Sequence, residues 1–331
     1  MSDTDKTVIV ESGSNKPDYG VCPICGQGLQ PDWENVELLR CPACRYTKKV
    51  ATVIEPGSVV AHKYRILSYL NGGGNGSIFL CYPLNAPAER YVLKVLTHPT
   101  VTGQKRFRRE ADILSSVAQN KRVAKIIDYW EIGDDTYIVM EYVNGQTLKD
   151  MTRDCQFDEY NVLIIAYEVA RALQDIWNGF SIIHRDIKPE NIMINEESQV
   201  KLLDFGLSKQ CDNCSETSMI TMASASLGTP GYMSPEQFTD FKNADFRTDI
   251  YSLGATLFFL LTGRKFHKDS NMMNMYKETL AFSPPPVESF NDSCSEGCRN
   301  MICRMMARKP EDRHASYEEL VAEINALLSN F

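Results

Sequence analysis

Three polar landmarks in fixed order constrain this chain more than any other feature. His184-Arg185-Asp186-Ile187-Lys188-Pro189-Glu190-Asn191 sets an acid and an amide five residues apart, and Asp204-Phe205-Gly206 adds a second acid eighteen residues after Asp186. Far upstream, Leu70-Asn71-Gly72-Gly73-Gly74-Asn75-Gly76-Ser77-Ile78 is a glycine run of the kind that lets backbone amides approach phosphates, with no side chains in the way. Tyr91-Val92-Leu93-Lys94-Val95 is strand-like and apolar except for Lys94, whose charge would be costly there without a partner. Glu110 follows sixteen residues later, between Phe107 and Ile113-Leu114, apolar residues at helical spacing that leave it available to face inward.

In this order, the motifs resemble those of the protein kinase family, and the resemblance runs from about His62 to Leu328. It implies an α+β, bilobal protein-kinase fold with a β-rich N-lobe and a helical C-lobe. It also implies division of labour in phosphoryl transfer: Asp186 orients the acceptor hydroxyl, Asn191 and Asp204 hold Mg²⁺ or Mn²⁺, and Lys188 neutralises the γ-phosphate. Lys94 would grip the α and β phosphates of ATP, with Glu110 as its partner. Gly72, Gly73, Gly74 and Gly76 would cover the nucleotide. Ile78, Val92 and Met193 would line its base, while Glu141 and Val143 present backbone groups to it beside Met140 as gatekeeper. Asn71 replaces the family's first glycine, a mild departure because Asn tolerates unusual backbone angles.

Lys188 resembles the serine/threonine branch of the family, so the implied partners are proteins with Ser or Thr acceptors. The segment Leu207 to Met233 resembles an activation loop, ending in Gly228-Thr229-Pro230-Gly231-Tyr232-Met233-Ser234-Pro235-Glu236. Thr229 would bond Asp186 and Lys188, Glu236 would pair with Arg313, and Asp249 would brace the backbone of the catalytic loop. Arg185 just before Asp186 is the family's mark of a switch by loop phosphorylation, since it needs an anion to hold it. Ser215, Thr217, Ser218, Thr221, Ser224 and Ser226 are the acceptors available.

A chain of 331 residues is near the size at which a second module appears. The boundary falls near Pro56-Gly57. Residues 1–20 read as a polar tail, 21–50 as a small metal module, 51–61 as a linker and 62–330 as the kinase domain. Cys22, Cys25, Cys41 and Cys44 form C-x2-C-x15-C-x2-C, two knuckles whose thiolates can close a tetrahedral site. The segment resembles a zinc ribbon, with short strands expected around Glu37–Arg40 and Arg45–Thr47. Zinc is favoured over rubredoxin-like iron. Gly26 eases the first knuckle; Arg45 stands at the equivalent place in the second, so a residue with a side chain must accept that turn.

Composition narrows the rest. With 43% hydrophobic and 24% charged residues and a net charge of −8, the chain is an ordinary globular protein whose surface should repel polyanions, which disfavours nucleic acid as a partner. Residues 1–60 carry six basic and eight acidic side chains, so the ribbon is read as a protein-docking or autoregulatory module. No apolar run reaches membrane-spanning length, the amino terminus lacks the apolar core of a signal peptide, and a cytoplasmic setting is expected. The eleven cysteines then read as thiols or metal ligands. Cys211 and Cys214 are either free thiols in the loop or a reversible disulfide, and Cys294, Cys298 and Cys303 read as core. Two rival functions remain at this level: a nucleotide-binding scaffold with negligible catalysis, and an adaptor whose ribbon is the principal part.

Overall fold

The computed structural model describes residues 25, 27, 30–31, 38–40, 42–45, 47–49, 54–73, 76–96, 108, 111–113, 115–117, 119–132, 135–154, 156–204, 230–240, 243–264, 272–292 and 294–331. Cys22, Cys41, Gly74, Glu110, Phe205, Thr229, the loop hydroxyls, and Cys211 with Cys214 lie outside them, as does the residue range 1–20. The chain divides into two compact units, residues 1–105 with 126–142, and residues 106–125 with 143–331.

The first unit begins with a three-stranded antiparallel sheet, β1 (Gln30–Pro31), β2 (Leu38–Arg40) and β3 (Thr47–Lys49). The third strand starts two residues later than the sequence suggests, because Ala43, Cys44 and Arg45 are spent on the second knuckle. A six-stranded antiparallel sheet follows, built from β4 (Val59–Val60), β5 (Tyr64–Gly73), β6 (Gly76–Pro83), β7 (Tyr91–Leu96), β8 (Ile126–Ile132) and β9 (Asp135–Glu141), in the order β4-β5-β6-β7-β9-β8.

Alternation along these strands separates two faces. Tyr64, Ile66, Phe79, Cys81, Leu93, Val95, Tyr137 and Val139 bury one face as a single cluster, with Tyr64, Trp130 and Tyr137 stacked in sequence at 5.7 and 5.3 Å. Ile78, Lys94 and Ile138 lie abreast on the other, next to a second row of Leu80, Val92 and Met140. Gly76 sits at φ +107°, and a Cβ there would collide with the carbonyl of Val95, so the hairpin between β5 and β6 requires glycine.

The second unit is helical around a small sheet of β10 (Gly145–Thr147), β11 (Ile192–Asn195) and β12 (Val200–Leu202). Its helices are α1 (Leu148–Asp154), α2 (Glu159–Phe180), α3 (Pro235–Thr239), α4 (Arg247–Thr262), α5 (Met272–Phe282), α6 (Glu296–Met305) and α7 (Tyr317–Leu328). The described positions around Glu110, including Ala111–Ile113, are helical too, with Ala111 and Ile113 buried. In α2, Asp158 caps the start by accepting from the Asn161 amide, and Val162, Ala166, Val169, Leu173 and Ile176 give the inward stripe. α4 differs: it is buried on every side from Thr248 to Thr262 and ends at Gly263, whose φ of +65° suits a helix C-terminus.

One ion pair ties α4, α3 and the segment before α7 together. The Arg313 guanidinium, fully buried, donates to both oxygens of Glu236 at 2.6 and 2.8 Å, to the carbonyls of Arg247 and Ala307 at 2.9 Å, and to that of Arg308 at 3.4 Å. All five of its N–H groups therefore have acceptors, and its plane lies 4.9 Å from the ring centre of Tyr251. Removing one partner of such a pair leaves the other charge buried, at a cost of about 3–5 kcal/mol. Arg313→Ala is accordingly expected to lower the unfolding free energy by that amount in urea titrations; a loss below about 1 kcal/mol would mean that Glu236 finds water in the folded variant.

Candidate active site

Two groups of sequence-predicted residues are assembled, one in each unit. In the first, Lys94 is buried on β7, paired in register with Ile78 on β6 and Ile138 on β9. Val92 lies two residues away on the same face, opposite Met140, and Glu141 ends β9. Gly72 and Gly73 close the β5–β6 hairpin against Ser77 and Gly76. Asn71, in the place of a glycine, turns its side chain to accept from the Gly72 amide at 2.8 Å. The pairing of Lys94 with Glu110 falls outside the described residues.

The second group surrounds Asp186. Lys188 donates to its Oδ2 at 2.8 Å, and the Asn191 amide donates to the same oxygen at 2.9 Å and to the Asp186 carbonyl at 2.8 Å. Burial raises the Asp186 carboxyl above its ordinary value; Lys188 opposes that shift, and the carboxylate of Asp204 nearby adds to it. Asp204 is held in the left-handed region at φ +52°, an uncommon conformation for a residue with a side chain, and Arg185 is held there as well at +65°. Met193 lies on β11 opposite Thr147 and Lys201, and Val143 is buried just after β9.

The loop is positioned from beneath. Asp249, in the first turn of α4, accepts from the backbone amides of His184 at 2.8 Å and Arg185 at 2.7 Å. The Tyr317 hydroxyl donates to it at 3.4 Å. Burial pushes its carboxyl up while the amides and Arg185 favour the charged form. His184 is fully buried, which lowers its pKa and keeps the ring neutral. Its Nε2 is 3.0 Å from the Leu203 carbonyl and must carry the proton, because a carbonyl only accepts; Nδ1 then accepts the Asp186 amide at 3.3 Å. The Leu203 amide donates in turn to the Asn191 carbonyl at 2.8 Å. His184 and this bond fix the spacing between the loop of Asp186 and Asn191 and the residue Asp204.

Several supporting residues gave no sequence signal. Gln237 donates to the Arg185 carbonyl at 3.0 Å, and Ser234, buried, forms a capping box with Gln237 and a short contact with Thr248. A polar Ser or Gln between prolines and acids reads as surface until the fold buries it. Near the amino terminus, Cys25 and Cys44 bring their sulfurs to 3.7 Å, and Arg45 adopts φ +59°.

The model of the protein kinase domain family matches residues 64–323, and the chain belongs to that family. Serine/threonine-protein kinase pkn3 of Myxococcus xanthus is 36% identical over 282 residues, which cover 82% of this chain and 51% of the relative. Serine/threonine-protein kinase PrkC of Bacillus subtilis is 32% identical over 272 residues, covering 81% and 41%. A probable serine/threonine-protein kinase of Clostridium acetobutylicum is 31% identical over 280 residues, covering 83% and 41%. The chain thus spans about half, or less, of the length of these curated relatives. Among the described residues no helix is long and apolar enough to cross a membrane.

Because Asp249 is the acceptor for two buried amides, Asp249→Ala leaves both without a partner, at about 1–3 kcal/mol each. The expected result is a loss of several kcal/mol in denaturant titrations, together with faster amide exchange at His184 and Arg185. Unchanged protection at those two amides would show that other acceptors replace the carboxylate.

Proposed function

We propose that this chain is a serine/threonine protein kinase that transfers the γ-phosphoryl group of ATP to Ser or Thr hydroxyls of proteins. The observation that carries the reading is the cluster at Asp186, where Lys188 and Asn191 both bond one carboxylate oxygen and Asp204 lies close enough to perturb it. An acceptor hydroxyl approaching Asp186 gives its proton a carboxylate to move toward, and Lys188 is 2.8 Å away to offset charge on the transferring group. Asn191 commits its NH₂ to Asp186, so its Oδ1 and the Asp204 carboxylate are the oxygen donors for Mg²⁺ or Mn²⁺. A carboxylate and an amide oxygen suit a hard divalent cation, which when bound would neutralise phosphate charge. Lys94, buried on the face of β7 shared with Val92, is assigned to the α and β phosphates, with Glu110 as its partner. Ile78, Val92, Met193 and the backbone at Glu141 and Val143 are assigned to the base, and Gly72, Gly73, Gly74 and Gly76 to the phosphates.

Loop phosphorylation between Ser215 and Ser226 is part of the same proposal. Arg185 is fixed at both ends of its backbone, by Asp249 and Gln237, next to Asp186, so an anion drawn to its guanidinium would be anchored to the catalytic loop. Purified protein with labelled ATP and Mg²⁺ tests the whole reading. Asp186→Asn and Asp204→Asn are expected to lose about 10²–10⁴-fold in rate, with phosphate mapped to Ser and Thr residues. The acid limb of kcat/KM should lie above the ordinary aspartate value, and Lys188→Met should push it higher, because Lys188 is what holds the raised Asp186 carboxyl down. Wild-type rates in the two Asn variants would rule the assignment out.

The ribbon at residues 21–50 is assigned a structural Zn²⁺ on Cys22, Cys25, Cys41 and Cys44. Support comes from the sulfurs of Cys25 and Cys44 standing 3.7 Å apart, near the edge of about 3.8 Å that four Zn–S bonds of 2.3 Å would set. A protein-docking or autoregulatory role is assigned to this module, and a cytoplasmic setting, where thiols stay reduced, suits it. Cys25→Ser should remove one equivalent of zinc in elemental analysis of the full chain. No change on that substitution, or iron in place of zinc, would overturn the metal assignment.

A further inference from the structure

Cys294 immediately precedes Ser295, the N-cap of α6, Cys298 lies in the first turn of α6, and Glu159 lies on the first turn of α2. One sulfur from each cysteine and an oxygen of Glu159 all stand within 4.8 Å of one another. The three residues are buried: 0% exposed at Cys298, 3% at Cys294 and 9% at Glu159. We propose that these residues form a second metal site, remote in sequence from the ribbon, that takes a structural Zn²⁺ and clamps the starts of α2 and α6 together.

The donor set selects the ion. Two thiolates with one carboxylate suit a borderline-soft, tetrahedral cation such as zinc and not Mg²⁺ or Ca²⁺, which take oxygen. Zn–S bonds of about 2.3 Å put two sulfurs about 3.8 Å apart, so the two sulfurs need to approach by no more than about 1 Å. The carboxylate is already aimed. Ser295 donates its backbone N–H to one oxygen of Glu159 and its hydroxyl to the other, both at 2.6 Å, and each oxygen keeps a lone pair for a cation. Ser295 also caps α6 by accepting from the Cys298 amide at 3.2 Å, and Cys294 is fixed by its amide donating to Asn291 at 3.0 Å. Glu159 with a second oxygen, or a water, supplies the fourth donor.

Charge favours the same reading. Zn²⁺ with two thiolates and a carboxylate sums to −1, and the amino-terminal ends of two helices stabilise a negative group. Zinc replaces the two thiol protons, which leave when it binds. Cys303 lies outside this cluster.

The test is zinc content of the full chain after dialysis against EDTA and reloading with one zinc at a time. Cys294→Ser/Cys298→Ser is expected to carry one equivalent less than the wild type, whatever the ribbon binds, and Cys25→Ser/Cys44→Ser removes the ribbon's share separately. Equal zinc in the wild type and the Cys294→Ser/Cys298→Ser protein overturns the proposal. Should that variant fail to fold, Co²⁺ added to the Cys25→Ser/Cys44→Ser protein decides it: thiolate-to-cobalt absorption near 300–350 nm supports the site, and its absence overturns it. A Cys294–Cys298 disulfide found by mass spectrometry in metal-free protein purified without reductant would also overturn it.

Discussion

The carboxylate of Asp249 is the constraint on which the catalytic loop depends. It sits in the first turn of a helix that is buried on every side, where an unpaired charge would be ruinous, and it is bonded by two backbone amides and a tyrosine hydroxyl that all come from elsewhere in the chain. The bonds act in both directions. The amides of His184 and Arg185 satisfy the acid, and the acid in return fixes the backbone immediately before Asp186. With Arg185 in the left-handed region, that backbone has little freedom to relax.

From this anchor the site grows by a chain of hydrogen bonds. His184, neutral because it is buried, donates to Leu203 and accepts from Asp186; Asn191 receives the Leu203 amide and gives its own side-chain N–H groups to Asp186. Asp186 and Asn191 are bonded to each other directly, and Asp204 is tied to them through its neighbour Leu203, which bonds both Asn191 and His184. The buried pair of Arg313 and Glu236 does for the segment after Met233 what Asp249 does for the catalytic loop: Glu236 is held, and through Gln237 so is the carbonyl of Arg185. Preorganised polar groups of this kind need no rearrangement when charge moves, which is the physical basis of their use in phosphoryl transfer.

Three kinds of donor set are proposed to hold metal. Oxygen donors near Asp186 would suit a hard cation, the proposed four-cysteine set, of which Cys25 and Cys44 stand 3.7 Å apart, would suit zinc, and the mixed thiol and carboxylate cluster at the start of α6 would suit zinc in a buried setting. Each follows from ligand softness, and the last from burial as well.

The sequence by itself determined the order of motifs, and with it the family and the pairing of Glu236 with Arg313, and it named the residues proposed for the phosphate, metal and catalytic positions. That was legible because such residues must be particular types at particular spacings, and spacing along the chain survives without coordinates. The sequence also marked Arg45 as the residue that would have to take the second knuckle's turn, and it does so at φ +59°. What only the tertiary structure decided was the support. Gln237, Thr248, Tyr317 and the tautomer of His184 have roles set by partners 14 to 71 residues away, and a polar side chain looks like surface until the fold removes its water. The same holds for Glu159 and Cys298, 139 residues apart in sequence: Glu159 carried no sequence signal and Cys298 read as a core thiol until two helix ends met. Contact across such distances is fixed by packing of whole elements, and no local pattern in the chain records it.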